Sequence, residues 1–330
     1  MQVYRGFDAI PDRPEAWISI GIYDGVHLAH RRILAELTRQ AVPDGRSLLI
    51  TFEPHPQQVL QDSPVPVPLL TPLEEKLDLL ARTGLSATAV IPFTRELSAL
   101  EPRTFVREVL LRRCPVRKLV IGYNHAFGRG GQGGGELLRS LGAEMGFEVQ
   151  IEPPVMIGGT AVSSTRIRML LLEGNAALAN RLLGRCYGIS GSVVGGEGRG
   201  RGFGFPTANL EAAHPDKLIP GNGVYAVFAR LRGEMHAGMC NIGTRPTVGG
   251  VRRSIETNLF DFEGDLYGET IDLEIVEKMR DEVKFDSIRS MIGQMEKDRD
   301  VARKLLTRQG GTHATDQGKT RQPHSSVRKE

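Results

Sequence analysis

The chain has 330 residues, more than a usual single domain, and 40% hydrophobic with 25% charged residues describe an ordinary soluble composition able to bury more than one core. A formal net charge of +3 is too mild to single out a nucleic-acid binder, which concentrates basic residues on one face, and it suits anionic small molecules equally well. Three cysteines, Cys114, Cys186 and Cys240, with no C-x-x-C spacing and no even set to pair, exclude a disulfide framework and point to reduced, buried thiols.

The N-terminal stretch MQVYRGFDAIPDRPEAW lacks a basic-then-apolar leader pattern. No apolar run approaches the roughly 18 residues of a membrane span, so a cytoplasmic protein without membrane contact is expected. From Ala16 to Gly184, short β-branched runs alternate with helical periodicity, which predicts βαβ units around a parallel sheet. Strands are expected over 17–22, 47–52, 87–92, 118–122 and 147–152, and helices over 28–39, 72–83, 102–113, 135–145, 164–173 and 176–183. A doubly wound sheet of this kind collects its ligands at the carboxyl ends of the strands.

The first strand runs into Gly21-Ile22-Tyr23-Asp24-Gly25-Val26-His27-Leu28-Ala29-His30. His27 and His30, three apart at a helix start, share a face. They lie near unsatisfied N–H groups and the positive dipole end, which favour phosphate; a surface or metal-binding pair is the alternative. Thr51 to Pro56 reads as a proline-fixed loop, with no chemical role for His55. Gly122-Tyr123-Asn124-His125-Ala126-Phe127-Gly128 follows the fourth strand. Directly behind it, Gly128 to Gly133 spells G-x-G-x-x-G, with Glu152 about 20 residues on, as a dinucleotide fingerprint requires. That fingerprint belongs in the first βα turn, so a flexible glycine-rich loop is the preferred reading. At Val162-Ser163-Ser164-Thr165-Arg166-Ile167-Arg168, hydroxyls at a helix start serve as caps. Arg166 and Arg168 make the same end an anion site.

Beyond Arg185 the texture changes to short strands over 187–194, 223–231, 234–242, 254–260 and 270–275, which predicts a small β-barrel. Between the first two lies GSVVGGEGRGRGFGFPTANL, residues 191–210. Its glycines let the backbone approach a ligand closely, and exposed N–H groups beside Arg199 and Arg201 suit a polyphosphate. A flexible linker is the alternative, but Phe205 to Leu210 reads as a rigid turn into a strand. A closing helix is expected over 287–306, then a disordered polar tail over 307–330. Gly318-Lys319-Thr320 in that tail imitates a P-loop ending, but His313 stands where the first glycine belongs.

The run Val193 to Asn209 matches V-V-x-G-x-G-x-G-R-x-x-G-F-P-T-A-N and resembles the riboflavin kinase module of the bacterial bifunctional riboflavin kinase/FAD synthetases. Other blocks of that family recur in order. The His27–His30 turn resembles G-x-F-D-G-V-H-x-G-H, Phe52 to Pro56 F-x-P-H-P, and Gly122 to Gly128 G-x-[ND]-x-x-F-G. Ser163 to Arg168 resembles S-S-T-x-I-R, Ala179 to Tyr187 A-N-x-L-L-G-R-x-Y, and Met279 to Phe285 [LM]-R-x-E-x-x-F. The resemblance implies an α/β Rossmann-like nucleotidylyltransferase domain over 1–184. A small antiparallel Greek-key β-barrel kinase domain with a C-terminal helix would follow over 185–306.

The implied chemistry is phosphorylation of riboflavin to FMN, then adenylylation of FMN to FAD. ATP, riboflavin and FMN are the implied small-molecule substrates and Mg²⁺ the implied cofactor; the sequence gives no oligomeric state. By the resemblance, Gly21, Asp24, Gly25, His27, His30, Asn124, Ser163, Ser164, Thr165, Arg166 and Arg168 serve the adenylylating ATP. Gly196, Gly198, Gly200, Arg201 and Gly204 cradle the kinase's phosphates. Thr207 and Asn209 hold the metal, Glu256 is the catalytic base, and Arg280, Glu282 and Phe285 meet the flavin. Ala29 departs from the pattern, standing where the family has glycine between the histidines. Two alternatives follow: a riboflavin kinase with an impaired adenylyltransferase domain, or a flavin-binding regulator without catalysis.

Overall fold

The protein is described by a computed structural model covering residues 1–11, 16–42, 45–60, 67–111, 115–195, 205–247 and 250–313. Its contacts divide it into two compact units. The first comprises Met1–Leu170, Leu178–Arg185 and His214–Leu218; the second comprises Leu171–Ala177, Cys186–Ala213 and the chain from Ile219 onward.

In chain order, the N-terminal half begins with β1 (Gln2–Arg5), β2 (Ala16–Ile20), α1 (Leu28–Ala41) and β3 (Arg46–Glu53). Helices α2 (Pro56–Leu60) and α3 (Leu73–Ala81) lead to β4 (Ala87–Pro92). Two single-turn helices, α4 (Arg95–Ser98) and α5 (Pro102–Phe105), run through a π-helical turn at Val106–Leu111 into β5 (Val116–Gly122). Then come α6 (Gly135–Met145), β6 (Glu148–Glu152), a hairpin of β7 (Met156–Ile157) and β8 (Thr160–Ala161), and helices α7 (Ser164–Leu172) and α8 (Ala176–Leu183).

Six strands form one parallel sheet in the order β1-β4-β3-β2-β5-β6. A parallel sheet is covered on both faces, and two apolar clusters do this here. Ile18, Ile20, Ile50 and Ile121 pack with Phe105, Leu138 and Leu141. Leu49 and Val120 pack with Leu34 and Leu37 of α1 and Leu80 of α3. The chain leaves β2 for β3 on one side, while β5 pairs β2 on the other, so the strand order reverses between β2 and β5. Ligands of open α/β sheets bind at such a switch point.

The sheet has one strand more than expected. Strand β1 is short and largely exposed, with only Val3 and the half-buried Tyr4 as hydrophobic residues, so its sequence carries little burial signal. The helix expected over 102–113 is only one α-turn before it widens at Val106.

The barrel consists of β9 (Tyr187–Val194), β10 (Ala208–Ala212), β11 (Gly223–Leu231), β12 (Glu234–Thr247), β13 (Gly250–Leu259) and β14 (Thr270–Arg280). It closes in the order β10-β13-β12-β11-β14-β9, every pair antiparallel. Strands β11, β12 and β13 form a meander and β14 returns beside β11, which is the Greek-key order. Along β9 buried and exposed residues alternate, the period-two signal of a half-covered strand.

Helix α9 (Ile288–His313) closes the unit by packing Ala302 and Leu306 against Ala226, Met239, Phe260 and Val276. It runs past the expected end at residue 306, so Thr307–His313 is helical rather than tail; residues 314–330 lie outside the described ones. The single cut expected at 184/185 is also revised. His214–Leu218 belongs to the first unit because Lys217, 6% exposed, donates to the Leu70 carbonyl (2.8 Å) and to Glu75 Oε2 (2.5 Å). Among the described residues no helix is long and apolar enough to cross a membrane.

Candidate active site

The turn from β2 into α1 sits at the switch point and holds an unusual backbone. Tyr23 (φ 56°) and Val26 (φ 38°) are left-handed although neither is glycine. Such conformations persist only where the surroundings hold them, and they cluster at ligand-binding turns. Gly25 (φ 85°) fills the position between without a side chain; a Cβ there would lie 2.8 Å from Leu70 Cδ1. Gly21 donates its N–H to the Ile50 carbonyl (3.0 Å), keeping the turn's start against the sheet. The Tyr23 hydroxyl lies 2.7 Å from Ser19 Oγ, which donates to the Val120 carbonyl.

His27 caps α1, its Nδ1 accepting the His30 N–H at 3.3 Å. The two imidazoles stack with centroids 3.6 Å apart, and the Tyr23 ring lies 4.6 Å from His30. Burial lowers the proton affinity of His27 to a pKa of about 4, with Asp24 opposing and Arg185 adding to the shift. Burial likewise depresses His30, and His27 and Lys76 push it further the same way. Both rings are therefore neutral near pH 7. Among the described residues His30 Nδ1 is buried without a hydrogen-bond partner, the kind of orphaned atom that a functional site explains.

Asp24, 3% exposed, carries this turn. Its carboxylate accepts from Leu70 N (3.1 Å), Thr71 N (2.8 Å), Thr71 Oγ1 (3.2 Å) and Arg168 Nη2 (2.6 Å). Gly25 N in turn donates to Thr71 Oγ1 (2.8 Å), and Ser164 Oγ donates to the Asp24 carbonyl (2.8 Å). Arg168 spends its Nε on the Pro68 carbonyl (2.9 Å). Ser163 caps α7 by accepting the Arg166 N–H (3.3 Å), while the Arg166 guanidinium holds the carbonyls of Ile157 and Thr160 in the β7–β8 hairpin. Thr165 is exposed at the same helix end. Asp24, Ser164 and Arg168 thus meet at the histidine turn, and Ser163 and Arg166 shape the helix behind it.

Asn124 is exposed beyond β5, with Oδ1 close over Gly122. Next to it His125 has Nε2 buried without a partner and a pKa lowered to about 4 by burial. His55, 6% exposed, is lowered to about 4 by burial, with Asp24, Arg168 and Lys76 all acting on it. Lys76, 3% exposed, donates to the Ile22 carbonyl and to Thr51 Oγ1, both at 3.3 Å. The sequence did carry a signal for this lysine: in α3 it lies on the same face as Leu80, four residues on, inside the apolar stripe. Ala29, half-buried, is the second residue of a regular helix, where no glycine conformation is needed. Ala29→Gly is therefore expected to leave the FAD formation that the resemblance implies within about threefold while loosening the helix by about 1 kcal/mol; a tenfold gain would show that the methyl group crowds the nucleotide.

In the barrel, strand register assembles the second set. Asn209 of β10 pairs with Glu256 of β13, and Glu256 pairs with Asn241 of β12, so the three lie in line on one face. Thr207 and Asn209 are half-buried on either side of buried Ala208. These two neutral oxygen donors fit Mg²⁺, which takes oxygen ligands and keeps several waters alongside substrate phosphates. Asn241 Nδ2 donates to Glu282 Oε1 (3.3 Å) and Asn222 Nδ2 to Glu282 Oε2 (3.0 Å), tying the loop after β14 to the same face. Asn241 opens a stretch that resembles a family block, but only the β12–β13 register puts it beside Glu256, and Asn222, just before β11, carries no local signal. Arg280 is committed to Asp298 of α9, with Nη2 at 2.7 Å, and its guanidinium lies 6.0 Å from the half-buried Phe285 ring. Gly196, Gly198, Gly200, Arg201 and Gly204 lie outside the described residues.

Two family models match the chain, FAD synthetase over residues 9–166 and riboflavin kinase (flavokinase) over residues 183–306. The bifunctional riboflavin kinase/FMN adenylyltransferase of Escherichia coli (strain K12) is 36% identical over 310 residues, 93% of this chain and 98% of that protein. The Bacillus subtilis (strain 168) protein of the same name is 35% identical over 297 residues, 88% of this chain and 92% of that protein. A crystal structure described as a macrolide-efflux protein from Streptococcus pneumoniae has a TM-score of 0.84 at 28% identity, covering 92% of this chain and 99% of that chain. A parallel α/β domain and a Greek-key barrel, each matched by its own model and joined as in these relatives, place the chain in the bifunctional riboflavin kinase/FMN adenylyltransferase family.

Proposed function

We propose that the two reactions occur at the two separate polar sites described above, with the barrel making FMN and the parallel-sheet unit converting it to FAD. The observation that carries this reading is that each compact unit contains its own constellation, Asn209–Glu256–Asn241 in one and the Asp24–His27–His30 turn in the other.

In the barrel, Glu256 takes the proton of the riboflavin 5′-hydroxyl as its oxygen bonds to the γ-phosphorus of ATP; the bond to the β-phosphate oxygen breaks and ADP leaves. Thr207 and Asn209 would hold Mg²⁺, which would supply positive charge to offset that of the transferring phosphate. The glycine run 196–204, outside the described residues, remains the candidate for the ATP phosphates on its composition. Glu282, held by Asn222 and Asn241, and Phe285 bound the flavin, while Arg280 supports their loop through Asp298.

In the parallel-sheet unit, an FMN phosphate oxygen attacks the α-phosphorus of ATP and pyrophosphate leaves, giving FAD. No protein group needs to carry a proton in this step. His27 and His30 donate hydrogen bonds to phosphate oxygens beside the positive end of α1, and Ser164 and Arg168 stabilise the leaving pyrophosphate. A cytoplasmic setting fits the Cys186 and Cys240 thiols.

The test is a time course of purified protein with riboflavin, ATP and Mg²⁺, separating the three flavins chromatographically. FMN should rise first and FAD follow, and chelating the metal should stop FMN formation. FMN without FAD would leave only the kinase assignment standing, and flavin binding without either product would sink both.

A further inference from the structure

Lys76 is a charged residue in a place built for an apolar one. It is 3% exposed and shares its face of α3 with Leu80. Lysine is almost never so buried unless paired. Its two hydrogen bonds go to neutral oxygens rather than to a carboxylate. Both partners belong to the support of the histidine turn, because Thr51 Oγ1 itself donates to the Ile22 carbonyl at 3.0 Å. Lysine ammonium, threonine hydroxyl and carbonyl therefore close a triangle immediately before Tyr23, the first left-handed residue of the turn.

We propose that Lys76 is a positioning residue for adenylyl transfer, a buried cation that pins the Ile22 carbonyl and so sets the Gly21–His27 turn and its positive potential for the nucleotide's phosphates. The inference rests on placing adenylyl transfer at that turn. A lysine here does what threonine alone does not. It fixes the carbonyl, and its ammonium form acts on His30 in the first turn of α1, where the anionic reactants are placed.

The charged neighbourhood agrees. Glu53 of β3 and Asp24 of the turn favour the ammonium form, although burial dominates and lowers its proton affinity. Glu53 in turn faces His214 and Asp216 as well as Asp24. On the other side, Lys76 acts on His55, together with Asp24 and Arg168, and on His30, together with His27. Its charge disfavours a proton on His30, so removing it moves the His30 titration to higher pH. A purely steric support would leave that titration where it is.

The experiment uses the full chain with Lys76→Met and Lys76→Arg. FAD formation from FMN and ATP, FMN formation from riboflavin and ATP, and the His30 imidazole titration by NMR are measured in each. Lys76→Met is expected to lower kcat for FAD formation by about 10²-fold, the cost of misplacing reactants by about an ångström. FMN formation should be untouched and the His30 titration displaced upward, while Lys76→Arg recovers most of the FAD activity and the original titration. If Lys76→Met does not fold, Lys76→Gln, which donates without charge, takes its place with the same expectations. Unchanged FAD formation, equal loss of both activities, or an unmoved His30 titration would each overturn the role. A parallel His30→Ala variant separates the two layers. If it retains FAD formation, the site itself is misplaced; if it loses FAD formation while Lys76→Met does not, only the role of Lys76 fails.

Discussion

Glu256→Gln is expected to abolish FMN formation from riboflavin while leaving the conversion of supplied FMN to FAD intact. Glutamine keeps the length and hydrogen-bonding ability of glutamate but accepts no proton at neutral pH. The β10–β13–β12 register that places Asn209 and Asn241 on either side of position 256 is made by backbone pairing, so the substitution leaves it in place. What is removed is the base, and losing a positioned general base costs roughly 10²–10⁴-fold in rate. The loss should appear in kcat with KM for ATP little changed, because the nucleotide is held by other groups. Flavin chromatography with riboflavin in one reaction and FMN in another reads both activities from one preparation. Loss of both would mean that Glu256 supports folding rather than chemistry. Retention of FMN formation would leave the role of base to another group.

The parallel sheet was legible because its strands are continuous buried apolar runs, such as Leu48-Leu49-Ile50 in β3, which report burial directly. The histidine turn was legible because its residues are consecutive. What the sequence concealed is everything set by partners far along the chain. Arg168 reads as a phosphate ligand, yet its guanidinium reaches Asp24, 144 residues away, and that pairing makes it part of the turn's scaffold as well. Lys217 carries no local signal of burial, yet it is buried against Leu70 and Glu75. Lys76 carried a signal in its place on the α3 apolar stripe, outweighed by the general rule that charge faces water. Asn241 was hidden because only the pairing of β12 with β13 puts it beside Glu256. The tail boundary was misplaced at 307 because a helix needs no apolar stripe to continue, only residues of fair helix propensity such as Arg308 and Gln309.

His30→Ala is expected to do the reverse of Glu256→Gln, removing FAD formation and sparing FMN formation. His30 sits in the first turn of α1, stacked on His27 and backed by Tyr23, with a buried nitrogen that no described group satisfies. A donor preset at the position where phosphate charge develops is worth roughly 10²–10³-fold in kcat. The pH dependence tests the same assignment from another side. The ordinary pKa of a histidine is 6.5, and burial takes His27 down to about 4 and moves His30 the same way. A lowered pKa keeps the neutral form present above that value, so neither ring gains a proton as pH falls from about 8 to about 6, where ordinary histidines titrate. The ring NMR signals of both histidines should therefore stay constant over that window, whereas the FMN phosphate, with a second pKa of about 6, gives the rate an acid limb of its own. Ring signals titrating near the ordinary histidine value would show that the rings are hydrated. That outcome, or a His30→Ala variant with undiminished FAD formation, would remove the pair from the site.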